Sequence, residues 1–421
     1  MASMSKHAYT KIQPYAIVIV ASLFYFFEYG LRVAPQIMTT ELMREFHIGA
    51  SGLGILASLF YWGYAPMQIP VGMLLDRFNA RHLMALSVFV CACAAVAFAS
   101  THNVYVAGVA RFLIGFTASF AYVGALVLAA RWLTSRYFAM TAGFVQVLGC
   151  IGAIVGERPI ALLVQRFGWQ EGLHIINVLG FVLAILFWLV IRNAPPNFHI
   201  EYEPHHKMRN ALKEVLKKPQ NWCAALLAFS LWGPVSIYAE FWGVAHLQAA
   251  YAINAVTAAT WTSVIWVGIM IGGPFHGWWS AHINSRRTPL LFGSAMAVVS
   301  SILLLYFHLP YALLFVVLFV YGASASAMTV TFGLIHDLNP PRCQGSGVGF
   351  NNMATLLGGL LLLPLVGFIM DSLWTGNIVS GVKSYDLTHF RIGLSVIPIC
   401  NALGLLTSFA LIKETHGKAE Y

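Results

Sequence analysis

Charged residues are scarce in this sequence: Asp, Glu, Lys and Arg make up 9% of its 421 positions, against 59% hydrophobic residues. A domain dissolved in water carries about a quarter charged residues, so that class is excluded. Alternating strands of about ten residues are also missing, which excludes a barrel of the outer-membrane kind. The six cysteines (Cys91, Cys93, Cys150, Cys223, Cys343, Cys400) have neither metal-ligand spacing nor a disulfide framework, and read as small packing residues. No G-x-x-x-x-G-K-[ST] run occurs, so the chain is not expected to use nucleotide directly. No nucleophile–base set or metal-ligand cluster stands out; catalysis, a metal and a cofactor are not expected. A cleavable signal is not expected either, because the first apolar block is too long and lacks a small-residue cleavage site.

What the sequence has instead is long apolar blocks. A helix needs roughly 20 mostly apolar residues to cross about 30 Å of hydrocarbon. Such blocks recur at 15–38, 52–74, 83–100, 104–130, 138–164 and 172–191, then at 220–246, 254–279, 288–307, 311–335, 344–370 and 392–412. The spacing predicts an all-α membrane protein of twelve transmembrane helices, with loops between the blocks. With both termini in the cytoplasm, the inner segments hold 17 Lys and Arg, and the outer loops only Arg44, Arg166, Lys383 and Arg391. The positive-inside rule therefore predicts cytoplasmic termini in an inner membrane. The basic run from Lys207 to Lys218 reads as a membrane-surface loop, and no nucleic-acid partner is expected.

The longest polar stretch divides the chain into an N-terminal six-helix bundle (1–193), a cytoplasmic linker (194–219) and a C-terminal six-helix bundle (220–421). The halves match at a shift of 205 or 206 residues. Ser58, Gly63, Gly72 and Arg81 correspond to Ser263, Gly268, Gly277 and Arg286, and Arg136, Gly143, Phe144 and Gly152 to Arg342, Gly349, Phe350 and Gly358. A shared register across four helices indicates internal duplication, a construction in which the solute site lies between the halves near mid-membrane.

After the second block the sequence reads Gly72-Met-Leu-Leu-Asp76-Arg77-Phe-Asn79-Ala-Arg81. This resembles the loop motif G-x-x-x-D-R-x-G-R-R of the major facilitator superfamily, with Asn79 in place of the loop glycine. A degenerate copy begins at Gly277, with Ala281 at the second aspartate position and Arg286-Arg287 at its end. Arg111-x-x-x-Gly115, the Gly149/Gly152/Gly156/Pro159 set and Gly168-Trp169 extend the resemblance over nearly the whole chain. It implies two pseudo-symmetric bundles and alternating access, with Gly72, Asp76, Arg77, Arg81 and Arg136 forming a latch that closes the inner gate. Without the family, Asp76 is a charge at the unfavourable end of a helix dipole that needs a partner, and Arg136 is one candidate. The bland alternative is a charged loop that only fixes topology.

Six charges fall inside the apolar blocks: Glu28, Arg32, Arg111, Glu157, Arg158 and Glu240. Each costs at least about 2.5–3.5 kcal/mol at mid-bilayer and needs a partner or a wet cavity. Glu28 and Arg32 are four residues apart, so they share a helix face and can pair. Glu157 and Arg158 are adjacent and point about 100° apart, so they cannot face one partner. With Tyr29, Trp232 and Tyr238, whose rings carry polar tips, these six are the candidate solute-binding residues. Structural ion pairs pinning helices together remain the competing reading for each charge. The outer histidines His174, His246 and His308 read as interfacial residues or proton sensors.

The expectation is a monomeric secondary transporter moving a small polar organic solute, coupled to protons through Glu28 or, second, Glu240. Three buried Arg against three buried Glu suits a zwitterion, so an amino acid or short peptide is favoured over an organic anion. Glu28-Tyr-Gly-Leu-Arg32-Val-Ala-Pro35 is similar to bacterial relatives of anion symporters, in which a helix-1 arginine grips a carboxylate or phosphate. The first half also resembles phagosomal nutrient transporters and, distantly, lysosomal dipeptide transporters. Uniport and a transport-dead membrane sensor are the other readings.

Overall fold

The computed structural model describes residues 2–133, 135–195, 205–379 and 381–419. The first half of the chain forms α1 (Ala2–Val33), a 3₁₀ turn (Ala34–Met38), α2 (Thr39–Phe46), α3 (Ala50–Met67), α4 (Pro70–Arg77), α5 (Ala80–Ser100), α6 (Val104–Trp132), α7 (Ser135–Phe167) and α8 (Trp169–Val190). A surface helix, α9 (His205–Lys217), follows. The second half forms α10 (Pro219–Ile237), a π turn (Tyr238–Trp242), α11 (Gly243–Tyr251), α12 (Ala255–His282), α13 (Arg287–Tyr306) and α14 (Tyr311–Ala325). After a 3₁₀ turn (Ser326–Met328) come α15 (Thr329–Leu338), α16 (Pro341–Ser372), a two-stranded hairpin, α17 (Leu387–Gly393) and α18 (Val396–Ala410). The hairpin pairs Ile378–Val379 with Val382–Lys383, a short piece of sheet that apolar blocks do not reveal.

Local chemistry sets the boundaries. Prolines open α4, α10 and α16 at the first helical turn, where the missing N–H is not needed. Asn79, Asn103 and Asn254 cap α5, α6 and α12 by accepting from first-turn N–H groups. Asn79 thereby explains the departure from the loop motif, since its Oδ1 accepts from Arg81 N at 3.0 Å and caps a helix. Among the described residues, eleven intervals are long and apolar enough to cross a membrane. The remaining expected crossing is α3 with α4, interrupted at Gln68–Ile69 between Pro66 and Pro70.

The duplication is visible as repeated close approach. A Cβ on Gly63 would lie 2.3 Å from the Phe112 carbonyl oxygen, and one on Gly268 would lie 2.2 Å from that of Phe319. The α3–α6 crossing is thus reproduced by α12 against α14, with Gly63 and Gly268 at the shift of the sequence repeat and their partners Phe112 and Phe319 one residue beyond it. Small residues at these crossings let backbones touch where lipid offers no hydrophobic drive for association.

Candidate functional site

A cavity of about 480 Å³ separates the two bundles, with Tyr25, Tyr29, Arg32 and Tyr64 on one wall and Trp232 and Asn352 on the other. It extends from Arg32 towards the face that carries the α4–α5 loop and α9. At the opposite end the bundles are joined by hydrogen bonds, and Glu28, Arg32, Glu157 and Glu240 lie at or beside that junction.

The i,i+4 spacing on α1 does bring Glu28 and Arg32 together. Arg32 Nη2 donates to both Glu28 oxygens, at 2.9 and 3.1 Å. Its guanidinium lies over the Tyr29, Tyr64 and Phe60 rings at 4.2, 4.8 and 5.1 Å, a cation–π cage. Nη1 stands 3.9 Å from Glu240 of the second bundle. Glu240 sits in the π turn that follows Pro234, an interruption that swings its carboxylate inwards. One of its oxygens accepts from the Tyr61 hydroxyl, while Oε1 has no hydrogen-bond partner. Arg32 Nε is likewise unpartnered. Arg32 is therefore the cation of the cavity wall, held between two carboxylates from opposite bundles.

Glu157 is fully buried and is held by neutral donors alone. Its Oε1 accepts from Gln36 Nε2 at 3.1 Å and Trp266 Nε1 at 2.9 Å, and its Oε2 from Thr262 Oγ1 at 2.8 Å. Gln36 also donates to the Ala239 carbonyl at 3.0 Å, so this cluster spans the junction. Arg158 is exposed, directed away from Glu157 as the helical angle requires, and stands outside the cluster. Arg111 is buried inside the first bundle, donates to the Leu31 carbonyl at 3.1 Å and lies between the Phe60 and Phe98 rings. Those contacts tie α6 to α1. Trp232 lines the cavity, whereas Tyr238 turns away from it and shares a 2.9 Å hydrogen bond with His246 Nδ1. His246 is therefore buried, not interfacial as expected.

Farther out, Asp371 at the end of α16 accepts from Ser51 N in the first turn of α3 at 2.8 Å. It also accepts from the Tyr385 hydroxyl at 2.6 Å and from Lys383 Nζ at 2.9 Å. The Tyr385 oxygen in turn accepts from Ala50 N at 2.9 Å. A second-bundle carboxylate thus sits on the N-terminus of a first-bundle helix, where the helix dipole favours an anion.

Of the expected latch residues, Gly72 has open space around it, Arg77 is exposed, and Arg81 stacks on Trp188 and donates to its carbonyl at 2.6 Å. The side chains of Asp76 and Arg136 lie outside the described residues. In the second copy, Arg286 pairs with Asp337 at 2.8 Å, so Asp337 supplies the acid that Ala281 lacks. The sequence reading did not single out Gln36, Tyr61, Thr262, Trp266 or Asp371. Each is neutral or lies near a helix end, and nothing local marks it.

The family model described as Major Facilitator Superfamily matches residues 17–363. A probable galactarate/D-glucarate transporter of Escherichia coli is 21% identical, over 90% of this chain and 91% of its own length. A membrane sensor protein of Salmonella typhimurium is 24% identical, over 88% of each chain. Among solved structures, a bacterial homologue of the human lysosomal transporter Spinster, inward-facing and unoccupied, superposes with a TM-score of 0.78 at 15% identity. That superposition covers 94% of this chain and 97% of the other.

Proposed function

The chain belongs to the major facilitator superfamily, and from that premise we propose that this transporter moves a small organic anion together with protons. The observation that carries the reading is Arg32, a cavity-wall cation engaged by Glu28 and approached by Glu240. A carboxylate solute gains a planar bidentate donor by taking Arg32. It then leaves two buried carboxylates without a cation, at a cost of several kcal/mol each. Protonation of Glu28 removes its share of that cost, so anion and proton enter the site together. A relative named for galactarate and D-glucarate, both carboxylate-bearing, supports this class of solute. The zwitterion reading has one observation in its favour: Glu240 Oε1, buried and without a hydrogen bond, is an acceptor suited to an ammonium group.

The rest of the assignment follows the distribution of basic residues. We place both termini in the cytoplasm of an inner membrane, with bundles 1–193 and 220–421 joined by the linker 194–219, in a monomer. The cavity then extends inwards, and the junction at Glu240, Glu157 and Asp371 closes the outer side. Asp76 and its neighbours form the inner latch that takes over when the bundles rock the other way.

A thermal-shift screen over D-glucarate, galactarate, amino acids and dipeptides tests the solute class, because a ligand of the native state raises apparent stability. Sugar acids are expected to raise Tm, and Arg32→Lys to abolish the rise. A rise with amino acids or dipeptides alone replaces the anion reading by the zwitterion reading. Binding without uptake in liposomes would make the chain a sensor.

A further inference from the structure

We propose that Glu157 is a second proton-binding site, separate from the solute cavity and read by both bundles. Its surroundings differ from those of Glu28. Glu28 spends both oxygens on a cation. Glu157 has no cation among the described residues, and three neutral donors surround it. A buried carboxylate so placed can stand in either protonation state, provided that the added proton finds an acceptor.

Thr262 supplies that acceptor without moving. In the ionised state its hydroxyl donates to Glu157 Oε2 at 2.8 Å. Thr262 Oγ1 also lies 3.0 Å from the Ala259 carbonyl oxygen and 3.2 Å from that of Ala258, on its own helix. When Glu157 Oε2 takes a proton from hydronium, which is left as water, the Thr262 hydrogen swings to the Ala259 carbonyl. Its oxygen then accepts the new Glu157 O–H. One proton is gained, no bond between heavy atoms changes, and every donor remains paired. Gln36 Oε1 is buried and has no hydrogen-bond partner among the described residues.

Among the described side chains, the charged and histidine residues on the helices packed against α7 are Glu28 and Arg32 on α1, Arg111 and Arg131 on α6, Glu171 and His174 on α8, and His276 and His282 on α12. None of them forms an ion pair with Glu157 among the described residues. Glu240 is linked to the cluster only through Gln36 and the Ala239 carbonyl. The proton is thus the species whose presence sets the charge of the cluster. Glu157 belongs to the first bundle and Thr262 and Trp266 to the second, so parting the bundles strips away two of its three partners. Water then reaches the carboxyl group, and the site loads or unloads. Trp266 meets Tyr29 edge to face, with ring centroids 5.6 Å apart, which leaves a single ring between this site and the cavity wall.

Infrared difference titration of the full chain in lipid nanodiscs, without solute, tests the proposal. Acidification from about pH 9 to about pH 5, a range spanning shifted carboxyl groups, is expected to raise a protonated-carboxyl C=O band. Glu157→Gln is expected to abolish one such band, whereas Glu28→Gln leaves that band in place. Thr262→Val, which keeps the shape and removes the hydroxyl, is expected to shift its frequency. Should Glu157→Gln not fold, Thr262→Val alone decides. A spectrum unchanged by Glu157→Gln, a band unmoved by Thr262→Val, or the lack of any titrating band overturns the proposal. Each of these outcomes is independent of which solute the cavity takes.

Discussion

Asp371→Asn changes one functional group and leaves the shape of the outer closure intact. The Lys383 and Tyr385 contacts of Asp371 lie within the second bundle, so they persist whichever way the bundles lean. The bond from Ser51 N is the one made across the junction. A hydrogen bond to a charged group contributes about 1.5–3 kcal/mol, and one to a neutral carbonyl about 0.5–1.5. Losing the charge also loses about 0.3–1 kcal/mol of helix-dipole interaction. Together the substitution should weaken the outwardly closed state by about 2 kcal/mol, or roughly thirtyfold in the ratio of the two conformations. Only states that contain the contact lose it, so solute affinity within each conformation is unaffected. The assay is labelling of single cysteines on either side of the junction, in a cysteine-free background in liposomes. Labelling from the outside should rise at sites behind Asp371. A change of less than about twofold would refute this account of the closure, because then Ser51 N must be equally well satisfied by water.

Further expectations follow from the same geometry. A Cβ on Gly54 would lie 2.5 Å from the Leu363 carbonyl oxygen of the other bundle, so Gly54→Val should hold the outer side open and stop transport while external labelling rises. Retained transport would show that α3 and α16 need not touch there. Glu28→Gln imitates the protonated acid and should keep solute exchange while losing accumulation driven by a pH gradient; loss of both would mean that Glu28 only orients Arg32. Glu414 caps α13 by accepting from Arg286 N at 2.8 Å and Arg287 N at 3.0 Å. Burial pushes its carboxyl up, but the Ser285 and backbone hydrogen bonds outweigh this and hold it down, at about 2. A depressed carboxyl stabilises fully above its ordinary value of 4.5 and loses its effect as the pH falls towards 2. Glu414→Gln should therefore lower Tm by about 1 °C, equally at any pH above the ordinary carboxyl range. A deficit that varied across the neutral range would place its cause elsewhere.

How much the sequence discloses depends on how far apart the partners lie. The Glu28–Arg32 pair is legible because four residues of helix fix its geometry, and the divergence of Glu157 from Arg158 because one residue does. The convergence of Arg32 and Glu240 is legible in part. That both fall inside apolar blocks follows from counting residues, whereas the inward swing of Glu240 depends on a π turn that no spacing marks. The Glu157 cluster is not legible at all. Gln36, Thr262 and Trp266 are neutral, lie more than a hundred residues from Glu157 in sequence, and look like ordinary helix residues. Asp371 is hidden for a different reason: near the end of an apolar block an acid reads as a solvated flank, and its partner is a backbone N–H. The glycine repeat gave the register of the two bundles, because close helix contact demands glycine at matching positions in both copies.

The central claim is that a carboxylate solute and a proton enter together at Arg32. Its most direct test is uptake of D-glucarate by the purified protein in liposomes, with and without an inwardly directed proton gradient, for the parent and for Arg32→Lys. The account predicts accumulation that requires the gradient in the parent, and uptake reduced about tenfold or more in Arg32→Lys, the cost of replacing a bidentate donor by a point charge. Equal uptake with and without the gradient, or an Arg32→Lys variant within about twofold of the parent, would contradict it.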